Sequence, residues 1–128
     1  MDYILKSLIF NLTIVAIYEN HREEPWFSLL ASKNKSIEGR LRKGKYSRMK
    51  PGDFIIVYSS DGKNFQKTKI VAVRYYDSFK DMLSNEDINK ILPGVKNIET
   101  GIEVYRKFYS EEDEKNFGIA AIEIELMD

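Results

Sequence analysis

Eight residues, Lys35 to Arg42, read KSIEGRLR and constrain the fold of this chain more than any other stretch. Ser36, Glu38, Arg40 and Arg42 alternate with Ile37, Gly39 and Leu41. Successive side chains of a strand point to opposite faces, so this pattern predicts one charged face and one face packed inward. An aromatic-bearing EPWFSLL segment precedes it, and further cations and a KPGD turn follow. Together these point to a small barrel with a ligand cleft.

The remaining elements follow from local chemistry. Leu12 to Tyr18 is β-branched and apolar and is the first secure strand, whereas residues 1–11 read as an extension or an additional first strand. Glu23, Glu24 and Pro25 suit the first turn of a helix, which carries Trp26, Leu29 and Leu30 on one side and ends near Ser32 to Asn34. The Lys50-Pro51-Gly52-Asp53 turn leads into a strand from Phe54 to Tyr58. Asp61-Gly62 then predicts a hairpin into a long strand from Phe65 to Tyr76. Ser78 caps a helix carrying Phe79, Met82 and Leu83, and a short helical segment from Asn85 to Leu92 stops at Pro93-Gly94. Ile98, Ile102, Tyr105 and Tyr109 form one stripe of a further helix, and Ile119 to Leu126 alternates as a half-buried closing strand. The fold class is therefore α+β, a β-barrel with helices inserted between strands, with residues 12–128 as a single domain.

Charge distribution says more than its total. The formal net charge is zero, so the whole-molecule field does not attract nucleic acid. Between Lys33 and Lys50 lie eight cations opposed only by Glu38, while the acids Glu111 to Glu114 cluster near the other end. That polarity offers a basic region to phosphates, or simply a solvated basic loop. The absence of cysteine removes disulfides, thiolate metal sites and a cysteine nucleophile, and fits an intracellular, cytoplasmic or nuclear setting. The apolar run from Tyr3 to Tyr18 is interrupted by Lys6 and Asn11 and falls short of the roughly 20 residues a spanning helix needs, so no membrane partner is expected. It also lacks a clear signal-peptide pattern.

In order and spacing, EPWFSLL, KSIEGRL, KPGDFIIV, VAVRYYDSFKDML, ILPGV, GIEVYRKFYSEEDE and GIAAIEIEL resemble the activating signal cointegrator homology (ASCH) family. Its domains look like the pseudouridine synthase and archaeosine transglycosylase (PUA) fold. The resemblance implies a small PUA-like open barrel and a cleft lined by a Gly-Lys-Lys-x-x-Glu-x-Arg strand. It further implies binding of RNA or single-stranded nucleic acid, and for one bacterial branch an amidohydrolase acting on acetylated cytidine. That branch uses a lysine, a threonine three residues later and a downstream glutamate. Lys35 matches the lysine, but Glu38 stands at the threonine position. Lys33 stands where the family carries glycine, which puts in question a tight turn that needs a positive dihedral.

Candidate ligand-binding residues are Lys35, Glu38, Arg40, Arg42, Lys43, Lys45, Trp26 and Phe27. Lys35 can meet a phosphate, or transfer a proton if burial lowers its pKa; exposed, it would form an ion pair worth only about 0–1 kcal/mol. Glu38 and Arg40 lie about 7 Å apart on one strand face, where they can receive a base and a phosphate or merely pair with each other. Arg42, Lys43 and Lys45 sit by a glycine-containing loop suited to a phosphate rim. Trp26 and Phe27 offer a stacking platform or a cleft wall. Tyr105 and Tyr109 share a helix face and favour packing, and His21 reads as a loop residue without a metal-ligand partner. The leading expectation is a non-catalytic RNA or single-stranded nucleic-acid binder without metal or cofactor. The alternatives are a small hydrolase of a modified nucleoside or RNA, with Lys35, Glu38 and Ser36 as catalytic candidates, and a protein-interaction module using the acidic Glu111 to Glu114 segment or the tyrosine-bearing helix.

Overall fold

A computed structural model describes residues 3–10 and 13–127, with side chains from residue 14 onward. Six strands form one sheet: β1 (Tyr3–Phe10), β2 (Thr13–Arg22), β3 (Ile37–Leu41), β4 (Phe54–Ser59), β5 (Phe65–Tyr76) and β6 (Ile119–Leu126). Their order is β1-β2-β4-β5-β6-β3, antiparallel throughout except for the parallel β2–β4 pair. The helices are α1 (Trp26–Ala31), α2 (Phe79–Asn85), α3 (Ile88–Ile91), α4 (Ile98–Arg106) and α5 (Glu111–Phe117), with a 3-10 turn at Gly44–Ser47.

The α+β class stands, but the sheet is not closed into a barrel: β3 pairs with β6 alone, and no ladder joins it to β1 or β2 among the described residues. The physical reason is register. The described β1–β2 pairing stops at Tyr3 and Tyr18, so among the described residues the ladder of residues 19–22 of β2 runs only to β4 and leaves one edge open. Side chains bridge the gap instead. Lys45 in the 3-10 turn donates to the Glu19 carbonyl on that edge, and the Tyr46 hydroxyl donates to Asn20 Oδ1 at 2.6 Å.

Turn chemistry sets the strand ends. Gly52 takes a φ of 95°, and Asp53 beside it is almost fully buried, accepting from Ala16 N at 3.1 Å and Lys50 N at 3.2 Å. The Asp61-Gly62 turn, with Gly62 at φ 75°, brings Tyr58 opposite Phe65. Ser78 accepts from Asp81 N and caps α2. The GIEVYRKFYSEEDE segment is two helices rather than one. α4 ends at Arg106 and Ser110 opens α5 by accepting from Asp113 N, because a serine competes for backbone donors and favours a new N-terminus.

Burial divides between two apolar clusters on the two faces of β6. Ala120, Ile122 and Ile124 join Leu30, Ile55, Val57 and Ile70, whereas Ile119 and Ala121 join Phe79, Met82, Leu83 and Ile91 under α2 to α4. The expected half-buried closing strand is therefore buried on both faces in its first half, since the inserted helices cover what would have been its wet side. Arg74 on β5 ties the layers by bonding Glu86 beside α2 at 2.6 Å and Glu123 on β6 at 2.7 Å. Of the acidic run, Glu114 turns inward to accept from Phe79 N at 2.7 Å and to pair with Arg106.

Phe79 joins these layers to the outer helices, with no exposed surface and its ring stacked on Tyr105 at 4.2 Å and Tyr109 at 5.6 Å. Replacing it with alanine removes a large buried ring and leaves a cavity. Phe79→Ala is expected to lower unfolding free energy by about 3–5 kcal/mol, read as a lower urea midpoint at unchanged m-value.

Candidate nucleic-acid cleft

The free edge of β2 and the edge strand β3 face each other across a cleft of about 260 Å³. Arg22 ends β2, Lys35 precedes β3, and Glu38, Gly39 and Arg40 lie on it. Trp26 on α1 forms one wall, and Tyr105, Phe108 and Tyr109 form another. Gly39 is required by closeness: a Cβ there would stand 2.6 Å from the Tyr105 hydroxyl and 2.7 Å from Met82 Cε, so a side chain would push α4 and α2 away from the strand.

The charged face of β3 is buried rather than presented to solvent. Glu38 is 9% exposed and Lys35 3%. β2 lies against that face, and its Arg22 supplies the opposite charge that makes the burial of Glu38 tolerable. Arg22 forms an ion pair with Glu38 Oε2, and Arg40 Nε donates to Glu38 Oε1 at 3.2 Å. Burial alone would raise the Glu38 pKa, but Arg22, Arg40 and Lys35 outweigh it and hold it at about 2. Lys35 Nζ donates to Ile37 O at 2.7 Å and to Ile91 O, and lies 5.8 Å over the Trp26 ring. Burial lowers its pKa to about 7 against the attraction of Glu38.

Three cations thus share one carboxylate. Arg22 is the most telling of them, because its Nε and Nη1 have no hydrogen-bond partner among the described residues although the side chain is only 3% exposed. Burial drives its pKa down, yet a guanidinium stays charged in proteins. Burial also pushes Tyr105 upward, so its hydroxyl stays protonated as a donor in the wall. Such a site can receive an anion or an acceptor-rich group. Among the described residues, no three His, Asp or Glu side chains converge as a metal would require.

Of the residues picked from sequence, Lys35, Glu38, Arg40 and Trp26 meet in the cleft. Phe27 does not; it packs with Leu30 and Ile55 in the core. Ser36 lines a second pocket with Lys35, Ile124 and Leu126, apart from Glu38. Lys45 is buried and turned toward Glu19 O, so it braces the fold rather than forming a rim. Arg42 and Lys43 are exposed and lie over Tyr75 and Phe117, 3.7 and 4.8 Å from the ring centroids. His21 belongs to β2 rather than a loop, stacked on Tyr58 at 5.2 Å at the cleft. Arg22 was missed altogether. In sequence it sits in a polar YENHREE stretch with no alternation to mark an inward face.

The ASCH domain model matches residues 21–128. The chain belongs to the ASCH domain family. That family is PUA-like and generally linked to RNA binding. Hypothetical protein PH0355, known from a crystal structure, is 47% identical, covers 87% of this chain and 99% of its own, and superposes with a TM-score of 0.79. Protein PF0455 from Pyrococcus furiosus, solved by solution NMR, is 43% identical over 88% of this chain and 98% of its own, with a TM-score of 0.70. An ASCH domain from Lactobacillus crispatus shares the fold at 16% identity and a TM-score of 0.52, covering 84% of this chain and 79% of its own. No curated protein matches the sequence. No helix among the described residues is long and apolar enough to cross a membrane.

Lys33 stands in the turn that leads into the cleft strand. Its φ is 67°, the left-handed conformation that glycine adopts freely, so the turn before the cleft strand forms with a lysine at that position. Lys33→Gly is expected to be neutral to stabilising by up to about 1 kcal/mol in urea unfolding, since relief of the Cβ clash outweighs the added freedom of the unfolded chain. Glu38→Gln is expected to destabilise by about 3–5 kcal/mol at neutral pH by leaving buried cations unopposed. Because the folded pKa of Glu38 is depressed to about 2, its stabilisation is present above about 4.5 and fades as pH falls toward 2. The gap between wild type and Glu38→Gln should narrow over that window, measured by urea midpoints at pH 7, 4 and 2.5.

Proposed function

We propose that this ASCH domain binds RNA or single-stranded nucleic acid by receiving one nucleotide in the cleft between β2 and β3. The observation that carries the reading is Arg22, a buried guanidinium lining the cleft with two nitrogens that have no hydrogen-bond partner among the described residues. A buried donor without an acceptor costs about 1–3 kcal/mol, and more when charged, so the site gains when a ligand oxygen fills it. Phosphate oxygens fit that demand, as arginine prefers planar or bidentate acceptors. Arg40 and Lys35 add positive potential, Glu38 can accept from a base amino group, and Trp26 and Phe108 can flank a base.

The hydrolase reading has less support. Glu38 at about 2 is too weak a base to take a proton from water near neutral pH. Ser36 lines a pocket that Lys35 reaches but Glu38 does not, and Lys35 directs its hydrogens at two backbone carbonyls. Binding therefore explains the arrangement better than turnover.

Fluorescence anisotropy with mixed-sequence labelled RNA and single-stranded DNA should show affinity that falls with salt, and Arg22→Met should weaken it at least tenfold. Absence of binding at low salt across both pools would sink the proposal. Affinity should also fall as pH rises through about 7, because Lys35 then loses its charge while phosphodiesters do not titrate. The measurement is made with His21→Gln in the background, since that imidazole also lines the cleft. In that background Lys35→Met should flatten the profile.

A further inference from the structure

The cleft has an exit with its own chemistry. Phe108 and Tyr109 wall the cleft on one side and line a second groove on the other, which runs past Lys43, Gly44 and Tyr46. Phe108 is 58% exposed, so this wall is a ring standing in solvent between the two depressions. At the far end Lys43 Nζ lies over the Phe117 ring, which lines a third groove together with Arg42 and Tyr75. Arg42 lies over Tyr75, its Cζ 3.7 Å from the ring centroid.

Exposed aromatics gather on this path. Tyr75, Phe108 and Phe117 lie along it, and among the described residues Phe65 is the remaining large aromatic with comparable exposure. A hydrophobic ring held at the surface loses the benefit of burial, and rings in succession beside cations mark an interaction surface. A guanidinium lying on a ring offers its outer plane for a second stack, and an ammonium beside a ring pairs a phosphate contact with a platform. Proteins that hold single strands without reading sequence use this combination of rings and backbone-tracking cations. Acids set its limits: Asp113 borders the second groove, and Asp77 and Asp81 offset Arg42 and Lys115 in the third. Phosphate attraction is therefore concentrated at Lys43, and the outer end contributes stacking.

We propose that a single-stranded oligonucleotide leaves the cleft over Phe108, follows the groove beside Lys43, and stacks its next bases on Phe117 and on the Arg42–Tyr75 pair. This rests on the reading of the cleft as a nucleotide site and extends it: one nucleotide is held in the cleft and its neighbours are held outside. The occupant is a strand of several nucleotides, because a free nucleotide would not reach the second and third grooves.

The test compares two probes on the whole chain: an equal mixture of the four ribonucleoside 5′-monophosphates by isothermal titration, and a random-sequence fluorescein-labelled RNA hexamer by anisotropy. The hexamer should bind at least tenfold more tightly than the mononucleotides. Lys43→Glu and Phe117→Ser should each weaken the hexamer about fivefold or more while leaving mononucleotide affinity unchanged, and Lys43→Glu should make the hexamer less salt-sensitive. Both side chains are exposed, and circular dichroism confirms that each variant is folded. If mononucleotides bind but the hexamer gains nothing, or if both variants bind it as wild type does, the groove is overturned and the cleft stands. If neither probe binds wild type at low salt, the cleft reading falls and the groove falls with it.

Discussion

The ion pair between Arg22 and Glu38 holds together two strands that share no backbone hydrogen bond. β2 and β3 lie at separate positions in the sheet, and a conventional barrel would join such edges by a ladder. Here the joint is electrostatic and made of side chains, with Lys45 and Tyr46 as secondary braces. A backbone ladder would have consumed the space that the cleft occupies. The opening and the ion pair are therefore alternatives to closure, and the fold retains a cavity because it closes this way.

The same joint sets the character of the site. Removing charges from water is costly, and a pair replaced by apolar residues is often no less stable. The arrangement makes poor sense as a device for stability, since Arg22 and Arg40 crowd a single carboxylate and two nitrogens of Arg22 stay unmatched. Under the proposed function it is a preorganised receptor, in which Glu38 orients the cations and cancels enough repulsion for the domain to fold, and the residual positive charge is left for an incoming group. Tyr105 connects this polar interior to the apolar one, stacking on Phe79 while its hydroxyl closes on Gly39.

Much of the scaffold was legible in the sequence because its signals are local. The Asp61-Gly62 hairpin, the Ser78 cap and the Pro93-Gly94 stop each depend on a few adjacent residues, and each forms. The cleft strand was legible in its alternation but not in its burial, because what covers Glu38 comes from β2. Arg22 was invisible because the sequence strand was ended at Tyr18: β2 runs on to Arg22, and its alternation turns Tyr18, Asn20 and Arg22 to the same inward face. Lys45 looked like one more cation in a basic run, and only the free carbonyl of Glu19 reveals why it turns inside. Phe27 and Trp26, adjacent on one short helix, parted between core and cleft as helical geometry requires of consecutive positions.

The pairing of β3 with β6 has a consequence for when the cleft can exist. Ile37 lies opposite Glu123, partners from opposite ends of the domain, and β3 has no other strand beside it. Contacts so distant in sequence form slowly, because a long loop must close before they are rewarded. During synthesis Lys35, Glu38 and Arg40 emerge well before the strand that fixes them, and until it arrives they are solvated charges on an unpaired segment. Assembly of the charged cleft is thus tied to completion of the sheet, so a half-made domain cannot hold Lys35, Glu38 and Arg40 together.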